Sequence, residues 1–207
     1  MNRQSPSPII GLVGGIGSGK STVAGMLRDM GCVVADSDQF ARASLRDPAI
    51  RPQLVEWWSD SILDPATGEI DRRKVAAIIF ADPAQRKRLE GLTHPWIEQR
   101  RRDLFAKSAE RTPAFVIDAP LLLEAGLARE CDAIIFIDAP PHLRSSRVEA
   151  NRHWTHQQWE SREAAQMPLD EKRRMADHVL VNSGDLNDLR ANVARTLQQI
   201  TSRGKSP

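Results

Sequence analysis

Eight consecutive residues, Gly14-Gly15-Ile16-Gly17-Ser18-Gly19-Lys20-Ser21, satisfy the pattern G-x-x-x-x-G-K-[ST]. They follow directly on the apolar run Ile9–Val13 and open a helical pattern, Ser21–Met30, which is the setting in which this spacing binds phosphate. The chemical reason is charge at close range. A nucleoside triphosphate carries several negative charges, and glycines let backbone N–H groups approach it at the positive end of a helix. Lys20 is spaced to reach the β- and γ-phosphates, and the Ser21 hydroxyl to ligate Mg²⁺. A dinucleotide fingerprint fails on one residue, because counting G-x-G-x-x-G from Gly15 puts Lys20 where the last glycine belongs. The guanine-reading string N-K-x-D and the ABC-type string L-S-G-G-Q do not occur. A small-molecule kinase is what remains, with a nucleotide-sensing module that lacks catalysis as the reading from a different class.

Carboxylates are the next residues that could do chemistry. The run Val34-Ala35-Asp36-Ser37-Asp38 ends a second apolar stretch, and in an open α/β sheet the crevice lies at the carboxyl ends of the strands. Asp38 is the candidate general base for an attacking hydroxyl. Asp36 suits a helix cap or a water-mediated metal contact, and both residues acting only as caps is the plainer alternative. Ile117-Asp118 and Ile137-Asp138 repeat the same pattern of an acid after an apolar run. Asp118 is the better metal candidate, whereas Asp138 reads as the start of a turn into the next helix.

These residues need a frame. Ile9–Val13, Cys32–Ala35, Phe115–Ile117, Ile134–Ile137 and a weaker Val179–Val181 are unbroken apolar runs, as expected of strands buried on both faces of a parallel sheet. Helical patterns alternate with them at Ser21–Met30, Leu121–Leu127, Leu143–Ala150 and Leu186–Ile200. The expected fold is therefore α/β, a P-loop kinase core with a five-stranded, mostly parallel sheet flanked by helices. Its core segments are 9–40, 113–143 and 175–203. Residues 41–112 read as a helical insert containing Ile50–Trp58, Arg72–Phe80 and a longer piece from Pro83 to about Glu110, interrupted at Pro95. Residues 144–174 read as a helical lid, with Thr155-His156-Gln157-Gln158 as a capping box, and 1–8 and 204–207 as flexible tails. Arg144, Arg147, Arg152 and Arg162 fall in or beside the lid, where arginine can neutralise charge that builds during phosphoryl transfer. The other basic clusters read as solvated helix faces, and Trp57, Trp58 and Trp96 as packing for the insert rather than a ligand groove.

Composition excludes several classes. A chain of 207 residues, 41% hydrophobic and 27% charged, can bury an ordinary core without disulfides. Lys plus Arg number 29 against 27 Asp plus Glu, and a net charge of +2 argues against a dedicated nucleic-acid or membrane binder. Cys32 and Cys131 have no CxxC partner and read as small core residues of a reducing compartment. The start lacks the apolar core of a signal peptide, and no apolar run approaches the ~20 residues of a membrane helix, so a cytoplasmic protein is expected.

An ordered set of segments then resembles the dephospho-coenzyme A kinases. It comprises Ile10 to Ala24, Val34-Ala35-Asp36-Ser37-Asp38, Asp71-Arg72-Arg73, Ile79-Phe80 and Leu92-Thr93-His94-Pro95. It continues with Asp118-Ala119-Pro120-Leu121-Leu122-Leu123-Glu124, Arg162 to Gln166, Ala176-Asp177 and Asn182-Ser183-Gly184. The resemblance implies transfer of the ATP γ-phosphoryl to the ribose 3′-hydroxyl of dephospho-CoA, with ATP and Mg²⁺ as cofactors. It also implies a core, an acceptor-binding helical domain and a lid. By the same resemblance Asp38, Lys20 and Arg147 are catalytic. Gly14 to Ser21, Thr22, Arg147 and Asn182 hold the nucleotide, Ser21 and Asp118 the metal, and Asp38, Arg73, His94, Pro120 and Leu121 the acceptor. No nucleic acid or membrane partner is implied, and the protein is expected to be a monomer or weak homo-oligomer. Another P-loop kinase acting on a small metabolite or nucleotide is the alternative. Two positions depart from the family pattern: Val13 stands where Thr is usual, and Asn151 where a second lid arginine is usual, with Arg152 one residue later.

Overall fold

The computed structural model describes residues 7–108 and 112–203. Of the expected tails, all but Ser7 and Pro8 lie outside the described residues, as does Glu110. The chain folds as two compact units, one from the residues through Asp36 together with those from Phe105 onward, the other Ser37–Leu104. Asp38, counted from sequence within the core, thus belongs to the second unit.

In the first unit, β1 (Ile9–Gly14), β2 (Val33–Asp36), β3 (Phe115–Asp118), β4 (Ala133–Asp138) and β5 (His178–Val181) form one sheet in the order β2-β3-β1-β4-β5. Every pairing is parallel, with Ile10 opposite Val116 and Ala133, and Ile135 opposite His178. Strand side chains alternate between the two faces, and both faces are apolar. Ile10, Leu12, Val116, Ile135, Ile137 and Leu180 pack against Val23 and Leu27 of α1 (Lys20–Asp29) and Leu189, Val193 and Leu197 of α9 (Leu186–Arg203). Val13, Ile117, Ile134 and Phe136 face the other way, against Leu122, Leu123, Phe105, Met167 and Leu169. Each apolar side chain fully buried in these layers contributes about 1.5–3 kcal/mol. The Cys32 thiol lies in the first of these layers, and burial pushes its pKa up to about 11.

The expected helix at Leu121–Leu127 is not formed. Its place is taken by a single turn, closed by Ala125 N–H to Leu121 O at 2.8 Å and ended by Gly126 in the left-handed conformation, φ 70. A short 3₁₀ turn, Leu127–Glu130, then leads into β4. Between β4 and β5 lie α6 (Pro141–Arg152), α7 (His156–Ala164) and α8 (Leu169–Arg174). The Thr155–Gln158 capping box at the head of α7 has both of its hydrogen bonds.

The second unit carries α2 (Ser37–Ser44), α3 (Arg51–Trp58), α4 (Arg72–Ala81) and most of α5 (Pro83–Lys107). Leu45, Ile50, Leu54, Ile62, Ile70 and Val75 form its core, with Trp57, Trp58 and Trp96 packed against it, so the tryptophans pack helices here. The interruption expected at Pro95 does not occur, and α5 runs through it. Pro95 removes the bond to the Gly91 carbonyl, but Leu89, Leu92 and Trp96 pack against the core on either side and keep the helix continuous across the gap.

Candidate active site

β1 ends at Gly14 and α1 starts at Lys20, so the phosphate loop occupies the carboxyl end of the central strand. Gly14, Gly17 and Gly19 have φ of 153, 82 and 96, and the latter two lie in the left-handed region that a side chain disfavours. Gly19 is the N-cap of α1 and provides no side-chain cap, which leaves the first amides of the helix for an anion. Lys20 Nζ donates to Gly14 O at 3.0 Å and to Gly15 O at 3.5 Å, so its ammonium rests on the loop it is meant to serve. Ser21 and Thr22 are exposed on the first turn of α1.

The loop is backed from two sides. Asn182, at the end of β5 and 3% exposed, donates from Nδ2 to Ser18 O at 2.8 Å and accepts from Arg147 Nη2 at 3.2 Å. Arg147 Nη1 is buried without a partner, as is Ser18 Oγ. On the other side, α7 reaches Ile16 from both directions. Glu163 Oε1 accepts from Ile16 N–H at 3.2 Å, and Trp159 Nε1–H donates to Ile16 O at 3.3 Å. The same Glu163 oxygen pairs with Arg144 Nη1, and Arg144 Nε donates to Ala139 O at 3.2 Å.

Two carboxylates end adjacent strands. Asp36 and Asp118 are register partners across β2 and β3, and Asp118 is also opposite Leu12 of β1. Among the described residues no group of three or more His, Cys, Asp or Glu side chains is set to hold a metal. Asp138 does not cap α6, whose N-cap is Pro140; it pairs instead with the Arg173 guanidinium.

A phosphate loop at the head of α1, in a five-stranded parallel sheet with helices on both faces, is a P-loop kinase core. The family model for dephospho-CoA kinase matches residues 8–188. The chain belongs to the dephospho-CoA kinase family. A dephospho-CoA kinase of Deinococcus radiodurans is 40% identical over 92% of this chain and 91% of its own length. One of Thermobifida fusca is 38% identical over 94% of this chain and 96% of its own. A solved structure from Thermus thermophilus superposes with a TM-score of 0.82 at 34% identity, covering 93% of this chain and 97% of that one.

The positions that depart from the family pattern have clear surroundings. Val13 is buried in the sheet layer with Ile117 and Phe136, so its side chain faces core. Asn151 Nδ2 donates to Arg147 O at 2.8 Å, one turn back in α6. Arg152 and Arg162 both stack on the Trp154 ring, 4.9 and 4.1 Å from its centroid. Arg73 and His94 are exposed on α4 and α5, Asp38 is exposed in the first turn of α2, and Pro120 and Leu121 are exposed after β3.

Three supporting residues carry no role from sequence, although Glu163 lies in the segment Arg162 to Gln166 that carries the family resemblance. Glu163 and Trp159 are one turn apart on α7 and read from sequence as ordinary helix positions. Lys172, 2% exposed, bonds Gln166 Oε1 at 2.9 Å and pairs with Glu124 at 3.1 Å. Its basic run Lys172-Arg173-Arg174 resembles a solvated face, and only an acid across the fold distinguishes it. Burial works to raise the Glu124 carboxyl, but the Met167 N–H and the Lys172 ammonium outweigh it and hold the group below its ordinary range.

Proposed function

We propose that this kinase transfers the γ-phosphoryl of ATP to the ribose 3′-hydroxyl of dephospho-CoA, the last step of coenzyme A synthesis. The observation that carries the reading is the uncapped phosphate loop at the head of α1, in a chain of this family. In the reaction the hydroxyl oxygen bonds to Pγ, the bond from Pγ to the β,γ-bridging oxygen breaks, and ADP leaves. Asp38 takes the hydroxyl proton. Loop amides from Gly14 to Ser21, with Thr22, surround the phosphates, and Lys20 leaves its loop carbonyls to neutralise the charge that spreads over the γ-oxygens. Arg147 adds a second cation, oriented by Asn182. Arg73, His94, Pro120 and Leu121 contact the acceptor.

The residues fit Mg²⁺. A hydroxyl at Ser21 and a carboxylate at Asp118 are hard oxygen donors, the ligand type that Mg²⁺ takes alongside waters and substrate phosphates. When bound, it would screen the β- and γ-phosphate charges. The same proposal has the protein working in the cytoplasm as a monomer or weak homo-oligomer; no helix among the described residues is long and apolar enough to cross a membrane.

The test is ADP release from ATP and Mg²⁺ with dephospho-CoA, AMP, pantothenate and gluconate offered separately. Turnover with dephospho-CoA alone is expected. Turnover with another acceptor and not with dephospho-CoA would refute the substrate, and ATP binding without turnover on any of them would refute the enzyme.

A further inference from the structure

We infer that Glu163 is a positioning residue for ATP: from α7 it fixes the Ile16 peptide, and so holds the mouth of the phosphate loop in its binding shape. The inference rests on the reading of that loop as the seat of the ATP phosphates.

Ile16 lies between glycines 15 and 17, the part of the loop where the backbone is least restrained by its own sequence. Both of its polar backbone groups are taken by one face of α7, the N–H by Glu163 and the C=O by Trp159, four residues apart and therefore neighbours on the helix. The Ile16 side chain is buried with Val148 and Trp159, which closes the grip with apolar contact. Glu163 is itself fixed. Its oxygen pairs with Arg144, which is 4% exposed, anchored through Nε on Ala139 O and set 5.1 Å over the Trp159 ring. The pair lies flat against the loop. A Cβ on Gly15 would come within 2.5 Å of Arg144 Nη1 and 2.7 Å of Glu163 Oε1.

The carboxylate, paired with Arg144, thus holds the Ile16 N–H from the side of α7. A glycine-rich loop released from the grip would spread over many conformations, and apparent affinity falls by the fraction that stays competent. Loss of one charge-assisted bond is enough to lower that fraction to about a tenth.

The test compares E163A and E163Q with the wild type in ATP affinity by calorimetry, KM for each substrate, kcat and thermal melting. E163A is expected to weaken ATP roughly tenfold in both Kd and KM, with the KM for dephospho-CoA within about twofold. E163Q keeps an oxygen that accepts from Ile16 N–H and is expected to recover most of the loss. Unchanged ATP affinity in E163A overturns the inference. So does tighter ATP binding, which would make the carboxylate a competitor of phosphate, and so does an equal loss for both substrates in step with a lower melting point. If E163A does not fold, W159F decides: it removes the donor to Ile16 O while keeping a ring, and wild-type ATP affinity there overturns the grip. A wild-type protein that binds no ATP refutes the functional reading itself, which separates the two failures.

Discussion

Asn182→Ala isolates the other support of the phosphate loop, and its cost can be worked from two contacts. The side chain is buried, so water does not replace what it loses. Removing Nδ2 strips the Ser18 carbonyl of a donor at 2.8 Å, and a buried acceptor left unsatisfied costs about 1–3 kcal/mol. Removing Oδ1 takes from Arg147 its acceptor at 3.2 Å, in a guanidinium whose Nη1 already has no partner. Arg147 is only half-buried and can turn toward solvent, which limits that part to about 1 kcal/mol. The sum is about 2–4 kcal/mol, a large share of the ~5–15 kcal/mol that holds a domain together. At this size it lowers the melting temperature by roughly 5–15 °C. The assay is urea unfolding, with the midpoint expected to drop and the slope to stay constant. Asn182→Asp ranks the two bonds: it keeps an acceptor for Arg147 but sets a carboxylate oxygen against Ser18 O, so it should be no more stable than the alanine variant. A loss below about 0.5 kcal/mol in Asn182→Ala, or full recovery in Asn182→Asp, would refute the reasoning.

The remaining predictions concern chemistry and pH. Lys20→Ala is expected to abolish turnover, since it removes the ammonium that rests on the Gly14 and Gly15 carbonyls of the phosphate loop; steady-state ADP release checks this. Asp38→Asn should cut kcat far more than ATP affinity, and a near-normal kcat would remove Asp38 from the base role. Glu124 has a carboxyl depressed below its ordinary 4.5 in the folded state, so its stabilising share is present above pH 4.5 and is lost as pH falls through the lower folded value. Glu124→Gln, which leaves buried Lys172 without its counter-charge, should be less stable at pH 7 yet decline less steeply in acid. Parallel acid declines in unfolding measurements would contradict that.

The sheet was legible because its strands advertise burial on both faces: Ile9–Val13 and Ile134–Ile137 are unbroken apolar runs, and no solvated helix face carries such a pattern. Leu121–Leu127 misled for the same reason it was noticed. Apolar spacing of 121, 122, 123 and 127 matches a helix, but Leu122 and Leu123 pack onto the sheet from one turn, and Gly126 ends it. Pro95 misled in the opposite direction. A proline costs a helix about 3 kcal/mol locally, and the half-buried Leu89, Leu92 and Trp96 together recover a comparable amount through packing that no local pattern displays.

The binding loop itself is legible because its requirements are local: glycines for backbone freedom, a lysine and a hydroxyl at fixed offsets, a strand before and a helix after. What keeps that loop in shape is not local at all. Ser18 is held by a residue 164 positions away and Ile16 by residues 143 and 147 positions away. Each partner is of an ordinary type, an Asn after a strand or a Trp and a Glu on a polar helix, and its hold on the loop shows only when the parallel order β1-β4-β5 brings segments 139–163 and 182 against it. The motif states which backbone must bind phosphate. The tertiary contacts state how much of its conformational freedom has been removed beforehand, and that fraction governs affinity.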